Sequence, residues 1–211
     1  MGVPVRYMFT LEIENFDMRD EATVERFYED AEEAYLSARD GLVDATYVIE
    51  ADEDDPCDAV LDAANHLRSL IPEARVTQVA IDLVSVSDIA ARVGKPRATI
   101  RSWVKGSRGP GHFPRPLSTL GGGVQVWHWP EVNEWLRLHH PEAADDERGL
   151  PMKQIHRINH ALSSAKFQTP QVGQSVAEIA GWRTARQACL SVDKKSQLSL
   201  PDHPYESRVI R

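Results

Sequence analysis

Between Val5 and Phe16 hydrophobic and polar positions alternate, with Phe9, Leu11 and Ile13 set against Thr10, Glu12 and Glu14. A period of two predicts a half-buried β-strand. From Glu21 the period changes: Val24, Phe27, Ala31, Ala34 and Tyr35 recur on one helical face, which predicts a helix running on to Arg39. Asp40-Gly41 supplies a turn. Residues 42–52 read as a second strand, residues 55–71 as a second helix with Pro56 near its start, and residues 74–84 as a third strand.

The expected order over residues 1–82 is therefore β-α-β-α-β. That order predicts a small α/β sandwich, similar to a ferredoxin-like half, inside a chain of α+β class. No glycine-rich phosphate loop or Ser/His/Asp pattern occurs in it, so the module is expected to serve interaction or dimerisation. The run "EADEDDPCD" offers carboxylates of the kind that suit a hard cation. It lacks the glycine hinge and ligand spacing of a calcium loop, and reads as a solvated acidic turn leading into a helix.

The pattern is most informative in residues 84–106, "VSVSDIAARVGKPRATIRSWVKG". Ser85 and Asp88 form a capping box that predicts a helix starting at Val86. Val86, Ile89, Ala90 and Val93 make one buried stripe. Gly94 stops that helix, and Pro96 suits the first positions of the next, where a missing N–H costs nothing. The second helix, Arg97 to about Lys105, buries Ile100, Trp103 and Val104 and leaves Arg97, Ala98, Arg101 and Ser102 on the opposite face. Ala90, small enough for close crossing, Gly94 at the turn and Ile100 as the plug together predict a helix-turn-helix. Residues 107–129 add two strand-like ends around Gly121-Gly122-Gly123, read as a β-hairpin wing. Pro130 starts a further helix with Val132, Trp135 and Leu136 on its apolar face. Trp103, Trp127, Trp129 and Trp135 are expected in the core rather than as base-stacking platforms.

Helix, turn, helix, an "FPxP" segment from Phe113 to Pro116, a wing and an "EVxxWL" helix from Glu131 to Leu136 together resemble the excisionase/MerR-type winged helix-turn-helix family, and most nearly its small AlpA-like DNA-binding members. The resemblance covers residues 83–138. It implies that Arg97, Thr99, Arg101 and Ser102 approach DNA from the recognition helix, with Arg97 or Arg101 reading guanine. Lys95, Lys105, Arg108 and Arg115 would sit on phosphates. Two positions depart from the family pattern: Pro96 stands where a Ser or Thr cap is usual, and His128 stands where the wing would carry an arginine.

Charge sharpens this division. The chain carries a formal net charge of -8. Residues 1–82 hold 21 Asp/Glu and 6 Lys/Arg, residues 83–140 hold 3 and 8, and residues 141–211 hold 8 and 10. These balances of -15, +5 and +2 place a basic module after an acidic one, with a boundary near Asp82. Beyond a Debye length of about 8–10 Å the acidic module is largely screened from the basic one's partner.

Residues 141–149 read as a polar linker. Ile155, Ile158 and Leu162 predict an amphipathic helix, and "SVAEIAGW" (residues 175–182) a short capped helix. The tail from residue 193 is expected to be extended or disordered until bound. His156 and His160 are four apart but have no further ligand at metal spacing. Cys57 and Cys189 point to reducing cytosol rather than a disulfide framework. No apolar run reaches membrane-span length.

The expectation is a cytoplasmic, non-enzymatic protein without cofactor or metal. Its partners would be double-stranded DNA, a second copy of itself, and a possible protein contact through residues 150–211. A transcriptional regulator is the first reading. The alternatives are an antitoxin-like autoregulator whose tail binds a toxin, and a phage-type excisionase or architectural factor.

Overall fold

The computed structural model describes residues 4–31, 33–39, 41–52 and 55–164. Over these residues the chain is α+β, with six α-helices and two sheets, one of five strands and one of three. The first sheet contains β1 (Pro4–Glu14), β2 (Ala34–Arg39), β3 (Leu42–Asp52) and β4 (Arg75–Val79) in the order β2-β3-β1-β4. Each neighbouring pair on that path is antiparallel. Two helices, α1 (Glu21–Asp30) and α2 (Cys57–Leu70), complete a β-α-β-β-α-β order.

Two expectations are corrected here. The first helix stops at Asp30, and residues 34–39 form a strand instead of its continuation. Six register pairs, from Ala34↔Tyr47 to Arg39↔Leu42, decide this in favour of the strand. They close a hairpin at Gly41, whose φ of 83° suits glycine. The single strand expected over residues 74–84 is divided. β4 ends at Val79, and β5 (Leu83–Ser85) begins the second sheet. Within β4 the register with β1 slips between Glu12 and Ile13. There the Thr77 hydroxyl donates to the Glu12 carbonyl at 3.2 Å.

Alternate residues of β1 (Tyr7, Phe9, Leu11 and Ile13) enter a core with Phe27, Val43, Ala45 and the inner face of α2. α6 (Met152–Ser164) supplies Ile155, Ile158, Ala161 and Leu162 to this same core. Its Asn159 accepts from the Val79 N–H at 2.7 Å and donates to the Val79 carbonyl at 3.2 Å. Those two bonds occupy backbone groups that a sheet edge would leave open. The apolar stripe of α6 is thus covered by the chain itself, while His156 and His160 are exposed. Asp55, from the acidic run, accepts from the Cys57 N–H at 3.1 Å and pairs with the buried Arg157 at 3.2 Å. Cys57 is buried in this core at the start of α2. Cys189 lies outside the described residues.

The second sheet has the order β5-β7-β6, with β6 (Ser118–Thr119) and β7 (Gln125–His128). Around it lie α3 (Val86–Arg92), α4 (Arg97–Val104) and α5 (Trp129–His139). Trp103, Trp127, Trp129 and Trp135 are all buried in its core, with Val84, Ile89, Ile100, Val132 and Leu136.

The stretch read as a linker is an ordered strap. The Trp129 indole N–H donates to Asp145 at 2.7 Å, and Arg137 donates to the carbonyls of Asp145, Asp146 and Glu147. β8 (Arg148–Gly149) then pairs in parallel with Tyr7 and Met8 of β1. The strap therefore ties one core to the other. Among the described residues no helix is long and apolar enough to cross a membrane. The helix expected over residues 175–182, the tail and most of the proposed partner segment lie outside the described residues.

Candidate nucleic-acid interface

α3 begins where the sequence predicts. The Ser85 hydroxyl accepts from the Ser87 and Asp88 N–H groups, at 3.1 and 3.4 Å, and the Asp88 carboxylate accepts from the Ser85 N–H at 2.8 Å. That backbone bond, followed by the Ser85 side chain, holds the Asp88 carboxyl below its ordinary range. Gly94, at φ 63°, turns the chain, and the Lys95 N–H returns to the Ala90 carbonyl at 3.1 Å. Pro96 precedes α4 without a side-chain cap.

Ile100 and Trp103 anchor one side of α4 in the core. On the other side Arg97, Arg101 and Lys105 recur every four residues, all exposed. Arg108 follows in the loop and is also exposed, as is Arg115 before the hairpin. No ion pair with a carboxylate is found for these five cations among the described residues. Thr99 and Ser102 are half-buried. The Ser102 hydroxyl donates to the Ala98 carbonyl at 3.0 Å, so its oxygen faces any ligand as an acceptor. Lys95 turns toward Glu142, at 3.9 Å, and is half-buried.

A groove of about 540 Å³ lies between the start of α3, the end of α4 and the β6–β7 connection. Arg101 and Lys105 line one side, Ser85 and Ser87 another, and Gly123, Val124 and Gln125 the third. Ser87 and Gln125 were not singled out from the sequence. Neither stands in a motif, and only the meeting of three separate segments brings them to the groove.

The loop leaving α4 is held close. Gly109, at φ 94°, passes over Trp103 so tightly that a Cβ there would lie 2.7 Å from the indole Cδ1. Trp127 donates to the Pro114 carbonyl at 3.0 Å and Trp135 to that of Gly111 at 2.9 Å. These bonds fix the loop that carries Arg108 and Arg115.

His128, read as a surface wing position, is only 1 % exposed. Burial pushes its pKa below the ordinary value, against the weaker opposing pull of Asp82, so near neutral pH the ring carries no charge. Comparison with protein-family models, curated proteins and solved structures finds no match to this chain.

Proposed function

We propose that the chain is a sequence-specific double-stranded DNA-binding protein acting as a transcriptional regulator. On this reading residues 83–138 form a winged helix-turn-helix beside a ferredoxin-like acidic module. The observation that carries it is the row of exposed arginines and lysine along α4, without carboxylate partners among the described residues, in a chain whose net charge is -8. A buried apolar side and a cationic outer side are what a helix needs to sit in a major groove about 12 Å wide.

Arg97 and Arg101 present planar forks suited to guanine O6 and N7. Thr99 and Ser102 add short-range contacts from the helix flank. Lys95, Lys105, Arg108 and Arg115 neutralise phosphates, with the β6–β7 hairpin lying along the backbone. Lys95 would exchange its Glu142 contact for a phosphate. A second copy would double the contacts, since a module of this size gives modest affinity alone. The antitoxin-like alternative places its toxin contact after residue 163, almost wholly outside the described residues, and no observation favours it.

Selection of the full chain from a random duplex library at two salt concentrations tests the proposal. We expect one enriched motif, lost in Arg97→Ala/Arg101→Ala. The affinity should fall with a log–log salt slope of about -3.6 if Lys95, Lys105, Arg108 and Arg115 each neutralise one phosphate. Absence of both enrichment and salt-sensitive binding overturns the reading.

A further inference from the structure

The two ends of the first sheet are finished differently. At one end Asn159 occupies the Val79 N–H and C=O of β4, and β8 pairs with the first half of β1. At the other end β2 pairs, among the described residues, with β3 alone. Its six register pairs run without a bulge, and residues 34–38, "AYLSA", hold no charge and no proline. Bulges, charges and prolines are the devices that blunt an edge strand against pairing with another chain. Charge is not scarce nearby, since residues 1–82 hold 21 Asp/Glu and 6 Lys/Arg. The bare edge is a neutral stretch in a strongly acidic module.

Two hydrogen bonds fix which backbone groups of β2 face outward. The Val48 N–H donates to the Glu33 carbonyl at 2.8 Å, so these two residues form a hydrogen-bonded pair. Such pairs alternate along an antiparallel ladder. Tyr35, Ser37 and Arg39 therefore turn their backbone groups to β3, and Ala34, Leu36 and Ala38 turn theirs off the sheet. Accordingly the Leu36 N–H donates to the Tyr28 hydroxyl of α1, at 3.1 Å. Tyr28 is 47 % exposed and can be displaced. An antiparallel second copy fits this edge in one register, centred on Leu36. Ala34 then faces the second copy's Ala38, and all three outward residues exchange N–H and C=O groups with their counterparts. The same register sets Glu33 opposite the second copy's Arg39 at both ends. Sliding the strands by two residues loses both charge pairs, and sliding by one sets outward groups against inward ones. Glu33 already accepts from Arg6 at 3.1 Å, but an exposed pair of this kind is weak and leaves room for a second guanidinium. A two-fold copy supplies opposite charges at both ends by symmetry alone.

We propose that two copies of the chain join β2 to β2 in this register, making one continuous sheet across both. The interface is independent of the DNA-binding reading and is tested without DNA. Sedimentation velocity of the full chain, run from low to high micromolar concentration, should show a reversible monomer–dimer equilibrium. Glu33→Arg and Arg39→Glu should each weaken the dimer about tenfold, because like charges then meet at both ends. The two substitutions combined should restore the original affinity. Positions 33 and 39 are about 20 Å apart along one strand, too far to compensate each other within a single copy. Ala38→Pro removes an N–H that points off the sheet, and should abolish association while circular dichroism stays native. In hydrogen exchange the Ala38 amide should gain protection as concentration rises.

A monomer at every concentration, a dimer that none of these variants weakens, or a combined charge swap that does not restore affinity overturns the proposal. Full protection of the Ala38 amide in the monomer also overturns it, and assigns the edge to residues 165–211 of the same chain. The charge swaps decide the matter if Ala38→Pro fails to fold.

Discussion

The first core closes with mostly aliphatic side chains on a five-stranded sheet, whereas the second closes with four indoles among three short strands and three helices. Among the described residues, twenty-four buried side chains share the work in the first and ten in the second. A core built from so few positions needs a large apolar area at each, and tryptophan supplies the most. Three of the indoles do something an aliphatic side chain cannot. Trp127, Trp129 and Trp135 each donate to a loop, at Pro114, Asp145 and Gly111. The aromatic core therefore fixes the segments around the cationic face as well as excluding water. In the first core the corresponding task, securing the edge of β4, falls to one amide side chain, Asn159.

The strongest way to break this contrast is to empty each core in turn. Trp127→Ala should cost about 3–5 kcal/mol and Ile158→Ala about 2–5 kcal/mol. Urea denaturation gives the totals, and hydrogen exchange shows where protection is lost. Trp127→Ala should expose amides of α3 to α5 first, and Ile158→Ala those of β1, β4 and α2. Loss spread evenly over both cores in each variant would mean that they form one cooperative unit.

Gly149→Ala probes the joint between the cores. A Cβ at this β8 position would collide with the Pro130 ring of α5. We expect a loss of about 1–3 kcal/mol from overpacking. The urea transition should broaden as the two cores uncouple, and an unchanged single transition would show that the strap does not couple them.

The smallest effect is a pH dependence of the second core. The His128 pKa is lowered in the fold, so at pH values above the ordinary value of about 6.5 the ring is neutral in both states. As pH falls below 6.5 the unfolded chain takes up the proton first. Stability should then decline by up to about 1.4 kcal/mol per pH unit until the buried ring itself protonates. Urea midpoints between pH 8 and pH 5 measure the slope, and His128→Gln should remove this contribution.

Local chemistry made much of this legible in advance. The Ser85/Asp88 box, the Gly94 turn, the Ile100 and Trp103 anchors and the start of α5 at its tryptophan-proline pair all follow from residues within one or two turns of each other. The missed strand β2 had a usable signal. Asp40-Gly41 between "AYLSAR" and "LVDATYV" is a two-residue hairpin sequence. It competes with a helical spacing that Ala31, Ala34 and Tyr35 continue. The division of residues 74–84 had no such signal, since "ARVTQVAIDLV" is uniformly strand-like and the break depends on which sheet each half joins.

Local pattern sufficed for one set of choices: the capped helix, the turn, the charged stripe every four residues along α4, and the separation of acidic from basic segments. These rest on side chains acting on their own backbone or their near neighbours. Tertiary structure decided the rest. It made residues 34–39 a strand by pairing them with β3, carried α6 back onto the first sheet, turned the residue 141–149 stretch into a strap, and buried His128. For α6 and the strap the deciding partner lies at least eight residues away in the chain, and for residues 34–39 it lies across a hairpin. The free energy that selects it comes from pairing and burial, which a local pattern does not encode.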